Sequence, residues 1–274
     1  MTATTAPGHG SGAIDAWRTR RAGLAPTWRW TLRLGSVVVL LAAWEIYGRS
    51  LNPILLSHPT AVFVAGIQMI GDGTLPHALG ASLAVLALGL VAGAAVGVAL
   101  GLVAGRRPGV AAVIELPVTA LYATPTVALI PLIVLWFGFD TLAKTVVVFL
   151  FVVFPVLLNT MRGVREVDPG LIEVARTFCS SERRIWTDLV VPSALPYIVT
   201  GIRIAIGRGL IGVIVAEYYT ALSGLGNLIA INANSFQTAR MLVPIVVLAL
   251  VGVVLTALLG WVEHHLARWR ETPA

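Results

Sequence analysis

The chain has little charge, one lysine and one cysteine. Only 12% of its 274 residues are charged and 57% are hydrophobic, whereas an average soluble domain is roughly 25% charged. That balance excludes an ordinary soluble domain and describes an integral membrane protein. The single cysteine, Cys179, excludes an internal disulfide and a cysteine-based metal cluster. The single lysine, Lys144, follows Ala143, and no G-x-x-x-x-G-K-[ST] occurs anywhere. Without those glycine amides and that lysine the chain cannot hydrolyse a nucleotide by the phosphate-loop route. Gly-x-Ser-x-Gly, His-Glu-x-x-His and paired catalytic carboxylates are also missing, so no catalytic residue is assigned and no enzyme is expected. The five histidines, at 9, 58, 77, 264 and 265, show no ligand spacing, and no metal site is expected.

What is present is apolar sequence in long runs. Six stretches approach the ~20 apolar residues of a membrane-spanning helix: Leu32 to Tyr47, Ala78 to Ala104, Val110 to Phe137, Leu142 to Thr160, Tyr197 to Tyr219 and Met241 to Val262. Ahead of them, residues 1–31 read as a disordered basic arm. The arm is too long, and lacks a small-x-small site, for a cleavable signal, so the first run reads as a signal anchor. Residues 32–264 then form one six-helix domain, with 265–274 as a tail.

The net charge of +6 would suggest nucleic acid in a soluble chain. Here the arginines report topology, and no nucleic-acid partner is expected. Arg18, Arg20, Arg21 and Arg29 precede the first span and Arg33 stands at its start; Arg106 and Arg107 follow the second; Arg162, Arg165, Arg176, Arg183 and Arg184 follow the fourth; Arg268 and Arg270 end the chain. The opposite loops hold only Arg49, Lys144 and Arg240. Basic loops stay on the cytoplasmic side, which places both termini there.

Three spans carry features of their own. Gly89, Gly93, Gly97, Gly101 and Gly105 recur every fourth residue in the second, a groove that a second helix backbone can approach. It reads as a packing seam within the chain, with a dimer face as the alternative. The third span contains Pro117, Pro125 and Pro131, and the fourth contains Pro155. Broken helices beside Tyr122, Thr124 and Thr126 suit a pathway wall, since freed carbonyls need protein or water around them; bending to fit neighbours is the plainer reading. Leu222 to Gln237, with Gly224, Gly226, Asn227, Asn232 and Asn234, is too polar to span and fits a short helix at the outer surface or dipping into the mouth.

The long polar interruption is EVARTFCSSERRIWTDLVVP at Glu173 to Pro192, inside a loop at 162–196. From Arg162 it holds five acids and five arginines, too costly for hydrocarbon at ~2.5 to 3.5 kcal/mol per central charge. Asp168 then Pro169 reads as a helix start, and Leu171, Val174, Ala175 and Phe178 recur at helical spacing. Ser180 or Ser181 can cap a second short helix with Ile185, Trp186 and Leu189 as its apolar stripe, ending at Pro192. Such an elbow is either inert or a docking surface.

The stretch resembles the cytoplasmic signature loop of ABC-importer permeases, Glu-Ala-Ala, three residues, Gly, nine residues, Ile-x-Leu-Pro. Glu173, Ala175 and Pro192 match, and Val174, Cys179, Leu189 and Val191 stand at the other four signature positions. PTVALIPLIVLWFGFDTLAK at 125–144, FPVLLNTMRGV at 154–164, PSALPYIVTGIRIAIGRGLIGVIVAE at 192–217 and SGLG at 223–226 are similar to the nitrate, sulfonate and taurine branch of that family. The resemblance implies an all-α membrane fold of the type I importer permease class, with six transmembrane helices and a coupling helix in that loop. It implies that Glu173, Val174, Ala175, Arg176, Phe178, Cys179, Arg183 and Ile185 meet a cytosolic ABC ATPase dimer, which binds the ATP and Mg. A second permease copy, as a homodimer, and a periplasmic or lipoprotein solute-binding protein complete the importer in the lipid of the bacterial inner membrane. With Cys179 where the pattern has glycine, the elbow is expected to be right-handed and more continuous.

The candidates for the substrate path are Tyr122, Thr124, Thr126, Arg208 and Glu217. Arg208 lies ~16 Å along the fifth span from Tyr197, near mid-membrane, where an ionisable group is functional by default. It either contacts an anionic head group or bonds carbonyls or an acid within the bundle. Glu217 reads as an organiser of the outer gate, Glu45 and Glu115 as structural residues near the interface, and Arg203 as snorkelling toward the cytoplasm. An ion-coupled secondary transporter is the alternative, with Glu217 as its acid.

Overall fold

A computed structural model describes residues 26–220 and 222–266, and among these every regular element is helical. The helices are α1 Pro26–Ser50, α2 Pro59–Gly71, α3 Thr74–Arg106, α4 Pro108–Ala123, α5 Ile130–Phe137, α6 Thr141–Arg165, α7 Pro169–Thr177, α8 Glu182–Thr220, α9 Leu225–Asn234 and α10 Thr238–Leu266. Five of them are long and apolar enough to cross a membrane, and α4 with α5 makes a sixth if the bent pair is one span. The first helix begins at Pro26, inside the expected arm; residues 1–25 and the tail from 267 lie outside the described residues.

The centre of the bundle is α6, flanked by α3 and α8. Each groove glycine of α3 meets one residue of α6 in a constant register: Gly89 faces Val148, Gly93 Val152, Gly97 Val156, Gly101 Thr160 and Gly105 Val164. The two helices therefore run parallel. A Cβ on Gly101 would stand 2.8 Å from the Leu157 carbonyl oxygen, and one on Gly105 2.9 Å from that of Met161. Only glycine admits a backbone this close, so the stripe is a seam within the chain. On its other side α6 runs antiparallel to α8, with Gly163 against Tyr197, Gly201 against Asn159 and Gly212 against Phe151. Val148, Val152 and Val156, all fully buried, join Val85, Leu86, Ala205 and Val213 in the core between the three helices.

The third span is broken where its prolines suggest: α4 and the α5 segment meet at 90°. Thr124 takes an extended conformation before Pro125, as a residue preceding proline is biased to do. The fifth span does not begin at Tyr197, because one helix runs from Glu182 to Thr220 and absorbs the second half of the polar loop. A π-helical stretch, Ile185–Val190, leads into Pro192, a change of register that accommodates a residue lacking an N–H.

The helix α2 has no counterpart among the expected elements. Val62, Ala65 and Met69 turn its buried face to Leu75, Ala78, Val243 and Leu248. The turn after it is held by Asp72, whose carboxyl accepts from the Thr74 hydroxyl at 2.6 Å and amide at 3.0 Å. Those bonds hold Asp72 below the usual carboxylate range.

Candidate coupling elbow and transport path

Three sites emerge from the helix ends and the break in the third span. The first is the elbow, at the arginine-rich end. Asp168 starts α7 by accepting from the Gly170 amide at 2.8 Å, with Pro169 in the first turn. The helix stops in a Schellman motif: the Cys179 amide donates to the Arg176 carbonyl at 2.9 Å and the Ser180 amide to that of Ala175 at 3.0 Å. Cys179 carries φ 52, the left-handed conformation that costs a non-glycine residue ~1 kcal/mol or more. The expected right-handed elbow is therefore wrong. The two closing hydrogen bonds offset the cost, and the cysteine turns the chain where the family pattern places glycine.

The apolar row on α7 divides into two faces. Ala175 turns inward toward Val164, Ile185 and Val190. Leu171, Val174 and Phe178, one helical row, are 51%, 54% and 81% exposed. Glu173, Arg176, Cys179 and Arg183 lie exposed around that row. Ile185 is 1% exposed and belongs to the core beneath the elbow, so it is removed from the docking residues. Glu182, at the start of α8, links the parts by bonding Arg176 of α7 at 3.2 Å and Arg106 of α3 at 3.7 Å. Exposed pairs of this kind add little stability. Glu182 has no role in the sequence reading, because both arginines it meets lie on other helices.

The second site lies at the opposite end, where α8 finishes. Glu217 is fully buried. Its carboxyl accepts from the Ser82 hydroxyl at 2.8 Å and 2.9 Å and from the Gly226 amide at 2.9 Å. The Ser82 oxygen in turn accepts from the Leu225 amide at 2.8 Å. Lys144, 3% exposed, donates to the Ser223 hydroxyl at 3.0 Å and carbonyl at 3.3 Å. The Ser223–Gly226 loop thus wraps the acid, and a Cβ on Gly224 (φ 102) would collide with the Glu217 carboxyl. This clamp ties α8 to α3, α6 and α9. It also shows that α9 is packed into the fold through Leu225, Gly226, Ala230 and Asn232, not resting on a surface. Glu217 therefore lines no open path in this conformation. Ser82 and Lys144 were missed; each is an isolated polar residue at the edge of an apolar run, and that isolation was the available signal.

The third site is the break between α4 and α5. Arg208 on α8 places its guanidinium over the Tyr122 ring, 4.7 Å from the centroid, which brings two candidates together from distant parts of the sequence. Thr124 turns its hydroxyl back to the Ala120 carbonyl at 2.9 Å, while Thr126 opens the short 3-10 turn before α5. Among the other ionisable residues, Arg203 bonds Glu263 of α10, Arg165 bonds Glu115 at 2.8 Å and Arg49 bonds Glu45 at 2.6 Å. Arg203 therefore reaches toward the last turn of α10 and pairs there with Glu263.

Comparison with known proteins decides what these sites belong to. The sequence profile of the binding-protein-dependent transport system inner membrane component matches residues 97–270. The chain belongs to this family. It is 31% identical to the taurine transport system permease protein of Escherichia coli over 88% of this chain and 93% of that one. It is 34% identical to the aliphatic sulfonates transport permease protein of the same organism, over 89% and 95%. Among solved structures, an amino acid ABC transporter chain matches with a TM-score of 0.53 at 19% identity, covering 70% of this chain and 90% of that one, a likeness of fold alone. The protein is thus an ABC transporter permease of the inner membrane, and the matched profile includes the elbow, the break and every clamp residue but Ser82.

Proposed function

We propose that this permease passes a small anionic solute, a sulfonate or taurine-like molecule, and that an ATPase docked on the elbow drives it. The observation that carries the reading is α8 itself, a single helix from Glu182 at the elbow to Thr220 at the clamp. A push on α7 reaches α8 through Glu182 and the buried contacts of Ile185. Along α8 it reaches Arg208 and then Glu217 with no loop to absorb it. Covering Leu171, Val174 and Phe178 gives an ATPase roughly 1.5–3 kcal/mol for each large side chain buried.

The elbow and both termini lie in the cytoplasm, following the arginine distribution. Two copies pair, two ATPase subunits bind the ATP and Mg, and a solute-binding protein delivers cargo at the clamp end. Closure of the ATPases moves the elbows and rocks α8 against α3 and α6, so that the path opens alternately to each side. A nearly complete shift between those states needs ~5.5 kcal/mol of differential binding. The acid that an ion-coupled carrier would use, Glu217, is committed to Ser82 and Gly226.

Reconstitution in proteoliposomes with an ATPase and a solute-binding protein tests this. Uptake is expected to require ATP inside and the binding protein outside. Uptake driven by a proton or sodium gradient without ATP would overturn the proposal.

A further inference from the structure

Two arginines five positions apart on α8 have opposite surroundings. The Arg203 guanidinium is neutralised by the Glu263 carboxyl of α10. Arg208 has no carboxyl within salt-bridge distance among the described residues and meets the face of Tyr122 instead. Its neighbour Gly209 packs on Leu86, Val148 and Val152, close to the middle of the 25-residue α6, so Arg208 stands at mid-depth. The side chain is exposed, and a Cβ on Gly207 beside it would touch nothing within 4 Å.

A guanidinium at this depth facing lipid costs ~2.5–3.5 kcal/mol on insertion scales. The break at Thr124–Pro125 beside it interrupts a helix and frees backbone groups, tolerated at membrane depth only against protein or water. Both features place this face of α8 on a wetted path and not against acyl chains. The guanidinium carbon stands over the Tyr122 ring, 4.7 Å from its centroid, and the ring holds the cation electrostatically. The N–H donors lie in the plane of the group, at its edge, and a fork of such donors matches the oxygens of an oxyanion.

From this we infer that Arg208, steadied by Tyr122, is the anion-selecting residue of the path and binds the sulfonate or a similar oxyanion head group of the solute in transit. The inference rests on the permease reading and adds the residue and the chemistry of its ligand. Tyr122 is a positioning residue: its contact with the guanidinium removes rotamer freedom from the arginine.

The test uses the complete importer in proteoliposomes, with radiolabelled taurine, methanesulfonate and nitrate as probes. Arg208→Gln is expected to reduce anion uptake at least tenfold, while ATP hydrolysis stimulated by the binding protein stays within twofold of wild type. Arg208→Lys keeps the charge without the fork and is expected to fall between the two. Tyr122→Phe keeps the ring and stays within twofold; Tyr122→Ala raises the uptake KM severalfold. Uptake by Arg208→Gln within twofold of wild type would overturn the inference. So would a parallel loss of stimulated hydrolysis, which marks a purely structural arginine. Wild-type vesicles that import a neutral solute with ATP, and none of the three anions, would overturn the anion site and leave the permease reading standing. Vesicles with no ATP-dependent uptake of any solute would remove the reading beneath it.

Discussion

The two ends of α8 are built on opposite plans. At the elbow, Leu171, Val174 and Phe178 stand exposed on a short helix whose own ends are closed by Asp168 and Cys179. At the clamp, Glu217, Ser82, Lys144 and Ser223 are joined by hydrogen bonds, and the acid is fully buried. Unfilled apolar surface is stabilised only when a partner covers it, whereas a satisfied buried polar cluster already has its partners and costs free energy to open. In the proposed reading the elbow awaits an ATPase, and the continuous helix α8 joins that free end to an anchored one.

The largest effect is expected at the anchored end. Glu217→Ala leaves the Ser82 hydroxyl and the Gly226 amide buried without an acceptor, at ~1–3 kcal/mol each. Thermal unfolding of the purified permease should show a loss of ~3 kcal/mol, and an unchanged midpoint would mean that the clamp does not anchor α8. At the free end the expected signs reverse. Phe178→Asp should leave the unfolding midpoint of the isolated permease unmoved and weaken ATPase association at least tenfold, ~1.4 kcal/mol or more, as read by titrating detergent-solubilised subunits. Destabilisation by Phe178→Asp without loss of binding would erase the contrast. The smallest effect belongs to the turn: Cys179→Gly relieves the left-handed residue and should stabilise the permease by ~1 kcal/mol or less. Transport and ATPase stimulation should persist, and loss of both would give the cysteine a role beyond its backbone.

Features set by periodicity and by strong local signals could be read directly from the residues. The glycine stripe of α3, the Asp168–Pro169 helix start and the short helix near 225–234 are of that kind, because each depends on neighbours in sequence. What escaped depends on tertiary contact. Nothing local distinguishes Ile185 from Val174 as a docking residue; only packing against Val190 and Ala194 turns one inward. Pro192 invited a helix end, yet the π register before it lets α8 continue and makes the elbow part of the span. The left-handed turn at Cys179 was discounted from intrinsic preference, which the two Schellman hydrogen bonds outweigh. Lys144 reaches Ser223 across 79 positions and Ser82 reaches Glu217 across 135, pairings that no window of sequence contains.

The sole cysteine of the chain stands in the left-handed turn beside Phe178, which makes it a native reporter of the free end. Labelling Cys179 with a membrane-impermeant maleimide, quantified by mass spectrometry of its peptide, measures whether the elbow is covered. Labelling should be rapid in the permease alone and at least tenfold slower once the ATPase is bound, with Phe178→Asp restoring the fast rate. Equal labelling rates with and without a bound ATPase would contradict the claim that the elbow is where the driving subunit sits.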